Sequence, residues 1–256
     1  MEIILDLNNK KERVNKRKKG KSILLYLHNY VVVDIETTGL DPYYDSIIEI
    51  AAVKVRNDKI AEKWQTLINP GFYIPEFVTE LTSITNELLV NAPAIEEKIP
   101  EFMEFVEEEY LIAHNAHFDI NFLYDSCMGV LNKPLTNNFV DTMRLSRKMF
   151  PEQERHRLLD LIEKFDISDR VEHRAMSDAI NTHLCYECMK NLADTNVETP
   201  ASFDFLLPTK QQYYYTKTSA KDISANVSEF NPDTQIYGKS FVFTGELQKM
   251  KRKEAM

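Results

Sequence analysis

Apolar residues recur along this chain in two rhythms. Residues 30–36, YVVVDIE, form a run rich in β-branched side chains that stops at Thr37-Thr38-Gly39, which is the pattern of a buried strand entering a turn. Residues 47–55 and 64–68 read as two further strands. Asn57-Asp58 is a turn signal between them, and Asn69-Pro70-Gly71 closes the set. The period then lengthens. Residues 85–89 predict a short helix, and residues 94–108 carry Ile95, Ile99, Phe102, Phe105 and Val106 at helical spacing. Residues 110–115 read as another buried strand, 118–128 as a helix and 139–140 as a brief strand. Helices are expected over 142–150, 156–165 and 176–192. Strands first, then helix alternating with strand, predict an α/β domain built on a mixed sheet.

Both flanks lose this regularity. Residues 1–22 read as a short strand or loose arm that runs into a basic stretch. Residues 195–233 are polar and lack sustained periodicity, as a linker does; their Tyr213-Tyr214-Tyr215 triplet reads as local packing rather than a base-stacking platform. A second apolar run occupies residues 240–245. The expected organisation is a basic arm at 1–28, a main domain at 29–193, a linker at 194–235 and the start of another domain at 236–256.

The 256 residues are 43% hydrophobic, enough for one full domain with a buried core plus appendages. Three cysteines do not make a disulfide framework, and Cys185 and Cys188 read as core thiols rather than half a zinc site. No stretch is apolar enough to cross a membrane, and the first residues lack a signal peptide's order, so the cytoplasm is the expected compartment. A net charge of −9 argues against nucleic-acid binding only on average. Lys10, Lys11, Arg13, Lys16, Arg17, Lys18, Lys19 and Lys21 form one basic cluster, and Lys249, Lys251, Arg252 and Lys253 another. Each reads equally as a phosphate contact or a solvated arm.

The candidate chemistry lies in carboxylates. Asp34 and Glu36 are two residues apart on a predicted strand, so both face one side near its C-terminal end. If that end is buried, a cation must neutralise them or one must take up a proton; if it is solvated, they need neither. Asp119 opens a predicted helix after an apolar strand. Asp178 lies on a later helix, five residues after His173. Four carboxylates offer all-oxygen ligation suited to octahedral Mg²⁺ or Mn²⁺ and not to zinc.

Three segments, in order, resemble the motifs of the DEDDh exonucleases, the superfamily of the DNA polymerase III epsilon proofreading subunit. They are VVVDIETTGLDP at residues 31–42, AHNAHFDINFL at 113–123 and HRAMSDA at 173–179. LINPGFYIPEFVTELTSITNELL and HRLLDLIEKFDI also read like this family, and the likeness runs from residue 29 to 192. Ser83 departs from it, where relatives usually carry glycine. The resemblance implies a ribonuclease H-like mixed β-sheet flanked by helices. It assigns Asp34, Glu36, Asp119 and Asp178 to two divalent metal ions, Mg²⁺ or Mn²⁺, and His173 to the general base, in place of the Tyr of the sister DEDDy group. It puts Thr37, Thr38 and Gly39 near the substrate's 3′ terminus, Leu40 as a wedge at the terminal base, and Asn115 and Phe118 at the penultimate nucleotide. Ordinary core packing is the alternative for Leu40 and Phe118.

The implied activity is 3′→5′ hydrolysis of DNA to nucleoside 5′-monophosphates in proofreading or repair. The implied partners are DNA 3′ ends, single-stranded or frayed, and a DNA polymerase or repair protein. An RNA 3′→5′ exonuclease like oligoribonuclease or ribonuclease T is the alternative enzyme. A non-catalytic polymerase-associated subunit is the alternative from another class, and retention of all five site residues argues against it. GKSFVFTGEL, at residues 238–247, resembles the opening of a BRCT domain.

Overall fold

The strand read at residues 30–36 becomes the middle of a mixed sheet. The computed structural model describes residues 17–167 and 173–196, all within the unit Met1–Phe205. In chain order these form β1 (Ser22–Ile23), β2 (Asn29–Thr37), β3 (Ile47–Arg56), β4 (Lys59–Leu67), α1 (Glu76–Thr82), α2 (Asn86–Leu89), α3 (Ile95–Val106), β5 (Leu111–Ala113), α4 (His117–Leu131), β6 (Phe139–Asp141), α5 (Thr142–Met149), α6 (Leu158–Lys164) and α7 (Ala175–Asn196). The six strands lie in the order β1-β6-β5-β2-β3-β4. β2, β3 and β4 are antiparallel neighbours, whereas β1, β6, β5 and β2 run parallel. The β3–β4 hairpin turns on Asn57 and Asp58, both with positive φ (49° and 67°), as a tight turn matched to strand twist requires.

Alternation along β2 sorts the core into two layers. Val31, Val33 and Ile35 pack with Ile99 and Phe102 of α3 and with Ile120 and Leu123 of α4. Tyr30 and Val32 pack on the other face with Tyr186 and Met189 of α7. Asp34 and Glu36 continue this second set, so period two aims them at the face that α7 covers. α7 is tied down far from that end as well. Lys190, 2% exposed, donates to Asp58 and Glu187, and the Tyr30 hydroxyl donates to Glu187 at 2.7 Å. The core reading holds for Cys185, which is free and buried as Cys127 is in the opposite layer, burial pushing each thiol up to about 12, whereas Cys188 is free and only half-buried. No helix of the described residues is long and apolar enough to cross a membrane.

The structure departs from the expected arm of residues 1–28. Its described part, from residue 17, is built into the sheet. β1 pairs in parallel with β6, Leu24 is buried, and Arg17 makes a two-point ion pair with Asp125 on α4. Lys19 donates to Asn121 on the same helix. A two-residue strand is too short to show a hydrophobic period, which is why the sequence hid it. Two of the basic residues are therefore engaged with α4. Three more readings shift. β4 starts at Lys59 rather than residue 64, because an edge strand with a largely exposed face carries polar residues. α1 was not anticipated. α7 runs to Asn196, into the expected linker. The first 16 residues, the rest of the linker with its tyrosine triplet, and the BRCT-like segment at 236–256 lie outside the described residues.

Candidate active site

β2 and α7 bring three of the expected carboxylates together. Ligand oxygens of Asp34, Glu36 and Asp178 all lie within 4.8 Å of one another, the one such metal-capable group among the described residues. Asp178 is buried on the first turn of α7, on the helix that covers the Asp34–Glu36 face. The electrostatics follow from this crowding. Burial, and then the negative charges of Asp119, Glu36 and Asp178, push the Asp34 carboxyl well above its ordinary range. Burial and the charge of Asp178 push Glu36 up to about 9, with Arg174 acting against the rise. A metal-free site thus holds protons that a cation would displace. Hard carboxylate oxygens, without a thiolate or imidazole among them, fit Mg²⁺ or Mn²⁺.

Asp119 arrives from the other layer. It is buried in the first turn of α4, which packs on the opposite face of β2, so it stands outside the trio. It nevertheless exerts the largest repulsion of any charge on Asp34. Burial pushes its own carboxyl well up, opposed by the backbone N–H groups of Asp119 itself and of Ile35. His173 sits just before α7 in a left-handed conformation, φ 45°, and is exposed. Partial burial of its ring lowers its pKa below the ordinary histidine value, which favours the neutral, proton-accepting form near neutral pH.

The residues expected at the substrate are placed as follows. Thr38 closes the loop after β2: its N–H donates to the Ser46 carbonyl and its hydroxyl accepts from the Ser46 N–H. The Thr37 hydroxyl donates to the Gly39 carbonyl at 2.6 Å. A Cβ at Gly39 would fall 2.5 Å from the Asp45 carboxylate, which would have to shift to admit it. Leu40 is 48% exposed and lies outside the core. Asn115 is exposed with φ 60°, and its N–H donates to Asp141. Phe118 is half-buried, packed on Phe122 and the α3–α4 core layer.

Sequence reasoning passed over Glu49. It is fully buried on β3, directly opposite Glu36. Its carboxylate accepts from the Arg174 guanidinium at 2.7 and 3.2 Å, from Gln65 at 2.8 Å and from the Ala175 N–H at 2.9 Å. The one signal in the sequence was a lone acid inside the apolar run IIEIAAV.

Comparison with known proteins adds the following. Residues 31–186 match the family model RNase_T, described as exonuclease. The chain is 39% identical over 177 residues to the PolC-type DNA polymerase III of Bacillus subtilis (strain 168), covering 68% of this chain and only 12% of that protein. It is 39% identical over 153 residues to the DNA polymerase III subunit epsilon of Aquifex aeolicus (strain VF5), covering 60% of this chain and 76% of the relative. Its fold is similar to that of exonuclease X in complex with 5′ overhanging duplex DNA, with TM-score 0.52 and 23% identity over 69% of this chain and 99% of that one. It is also similar to the zinc-bound E. coli exonuclease I–single-stranded DNA complex, with TM-score 0.57 and 17% identity over 66% of this chain and 42% of the other.

Proposed function

Since the chain belongs to the RNase_T exonuclease family, we propose that it is a metal-dependent 3′→5′ exonuclease that releases nucleoside 5′-monophosphates from DNA. The observation that carries this reading is the Asp34, Glu36 and Asp178 cluster, whose crowded carboxylates are suited to a divalent cation. These three residues, with Asp119 from α4, would hold two ions, Mg²⁺ or Mn²⁺. When bound, such ions supply Lewis-acid stabilisation of charge on the attacking and leaving oxygens.

The protein's own groups do the rest. His173, neutral near pH 7, accepts the proton of the attacking water. The turn at Thr37, Thr38 and Gly39 is tied by hydrogen bonds and joins directly onto β2, so it would hold the 3′ terminus against the carboxylates. Leu40, exposed on the same loop, bears on the terminal base, and Asn115 and Phe118 on the next nucleotide. The names of the relatives support a DNA polymerase as the partner, and DNA 3′ ends, single-stranded or frayed, would be the substrate.

The test compares matched DNA and RNA oligomers labelled at the 5′ end, with Mg²⁺ and with a chelator. A DNA ladder shortening from the 3′ end, silenced by chelation and by Asp34→Ala, is expected. Preferred shortening of RNA would replace DNA by RNA as substrate. Cutting of a closed circular single strand would overturn the exonuclease reading.

A further inference from the structure

We propose that Glu49 and Arg174 are positioning residues for the active site, acting through His173 and Asp178; this deepens the exonuclease reading and rests on it. Glu49 is a carboxylate with 0% exposure in a position where charge is expensive. Its cross-strand partner is Glu36, one of the site's own acids. Two carboxylates opposite one another on a sheet can both be charged only where something compensates the repulsion. Three groups supply hydrogen-bond donors to Glu49. Arg174 binds through Nε and Nη2, Gln65 through its amide, and Ala175 through its backbone N–H.

These donors are not scattered. Arg174 and Ala175 directly follow His173, and Ala175 is the first residue of α7. One buried carboxylate therefore grips the two residues that follow the candidate base, the second of which opens the helix that carries Asp178. His173 itself is held at φ 45°, a conformation that a residue with a side chain keeps only when its surroundings over-determine it. The anchor one residue along supplies that constraint. It ties the turn to β3, the neighbour of the strand that carries Asp34 and Glu36. The base and three acids are thereby referred to a single rigid frame. Small errors in such a frame are amplified, since a displacement of about 1 Å can lower a rate about a hundredfold.

The decisive comparison uses the full chain and the variants Glu49→Gln, Arg174→Lys, His173→Ala and the double variant Glu49→Gln/His173→Ala. Glutamine keeps the shape of Glu49 but turns a pure acceptor into a group that also presents donors to Arg174 and Ala175. On a 5′-labelled DNA oligomer with Mg²⁺, Glu49→Gln should lower kcat by about ten- to a hundredfold while KM moves by less than about threefold. Arg174→Lys, which loses the two-point grip, should fall in the same direction. Adding His173→Ala to Glu49→Gln should reduce kcat far less than it does in the parent chain, because the two act as a unit. Hydrogen exchange gives a reading independent of hydrolysis: amides of residues 175–178 should exchange faster in Glu49→Gln, with those of β2 unchanged. The proposal is overturned if Glu49→Gln keeps its kcat, if the losses from Glu49→Gln and His173→Ala simply multiply, or if exchange at 175–178 is unaltered. If the parent chain releases no nucleotide from DNA or RNA, the exonuclease reading fails, and the exchange measurement alone then decides whether Glu49 holds this turn.

Discussion

Glu36 keeps its proton to about pH 9 in the metal-free fold, against an ordinary value of 4.5, and Asp34 is shifted the same way. The folded state therefore binds protons that the unfolded chain has released. Stability from Glu36 is complete below about pH 4.5 and is lost as pH rises through about 9, and Asp34 acts in the same direction. The melting temperature of the chelated protein should accordingly fall across that interval. Mg²⁺ or Mn²⁺ should raise it most at the alkaline end, and Asp34→Asn should flatten the slope. A chelated protein whose melting temperature rises with pH from about 5 to about 9 would contradict the repulsion argument.

His173→Ala tests the other half of the site. It should lower kcat by roughly a hundredfold to ten-thousandfold with little change in substrate binding, and should remove the acidic limb of the pH–rate profile. Survival of both rate and profile would leave His173 without a chemical role. At this scale the sequence was informative where spacing is local. Asp34 and Glu36 share a strand face by period alone. It was silent on Glu49, because an acid inside IIEIAAV reads as an interruption until the residue 125 positions away that neutralises it is known.

Ser83 shows what an element can store. It ends α1 in the left-handed region at φ 59°, its N–H bonded to the Thr79 carbonyl. A side chain there costs about 1 kcal/mol or more, which glycine avoids. That is a physical reason for the glycine expected at this position. Ser83→Gly should stabilise the protein by about 0.5–1 kcal/mol in denaturant melts and leave the rate unchanged, the gain being reduced by glycine's freedom in the unfolded chain. A net destabilisation would mean that the serine side chain contributes more than the strain. The long, strongly patterned elements were legible: β2, β3, α3 and α7 fall close to their expected positions. β1 was not, since two residues have no period. α1 was not, since Phe77 and Leu81 lie on its exposed face and Val78 and Thr82 on its buried one, a pattern that seven residues state weakly.

For the whole molecule, the consequence lies at the N-terminal side. β1 satisfies the backbone of β6, Leu24 fills the α7-side core, and Arg17 clamps α4. A chain of residues 17–196 should therefore fold and keep its kcat. A chain beginning at residue 29 exposes the β6 edge and loses the burial of Leu24, which alone is worth about 2 kcal/mol. Urea midpoints of the two should differ by at least that amount of stability. Equal midpoints would return residues 17–28 to the status of an arm. The basic residues within this stretch are also weaker candidates for phosphate binding than their sequence suggests, because Arg17 and Lys19 already serve α4.

The sequence alone determined the class of fold and which side chains the candidate site can draw on. Period two and period 3.6 are properties of neighbouring residues, and the three motifs carry the acids and the histidine within themselves. Tertiary structure decided how the motifs meet. Only the layering of the sheet puts Asp178 on the same side as Asp34 and Glu36, and brings Asp119 round from the other side. Only the pairing of β2 with β3 sets Glu49 against Glu36, and only the start of α7 brings Arg174 to neutralise it. Charges far apart in sequence interact through space, and their burial, protonation and partners are set by packing that no local pattern encodes.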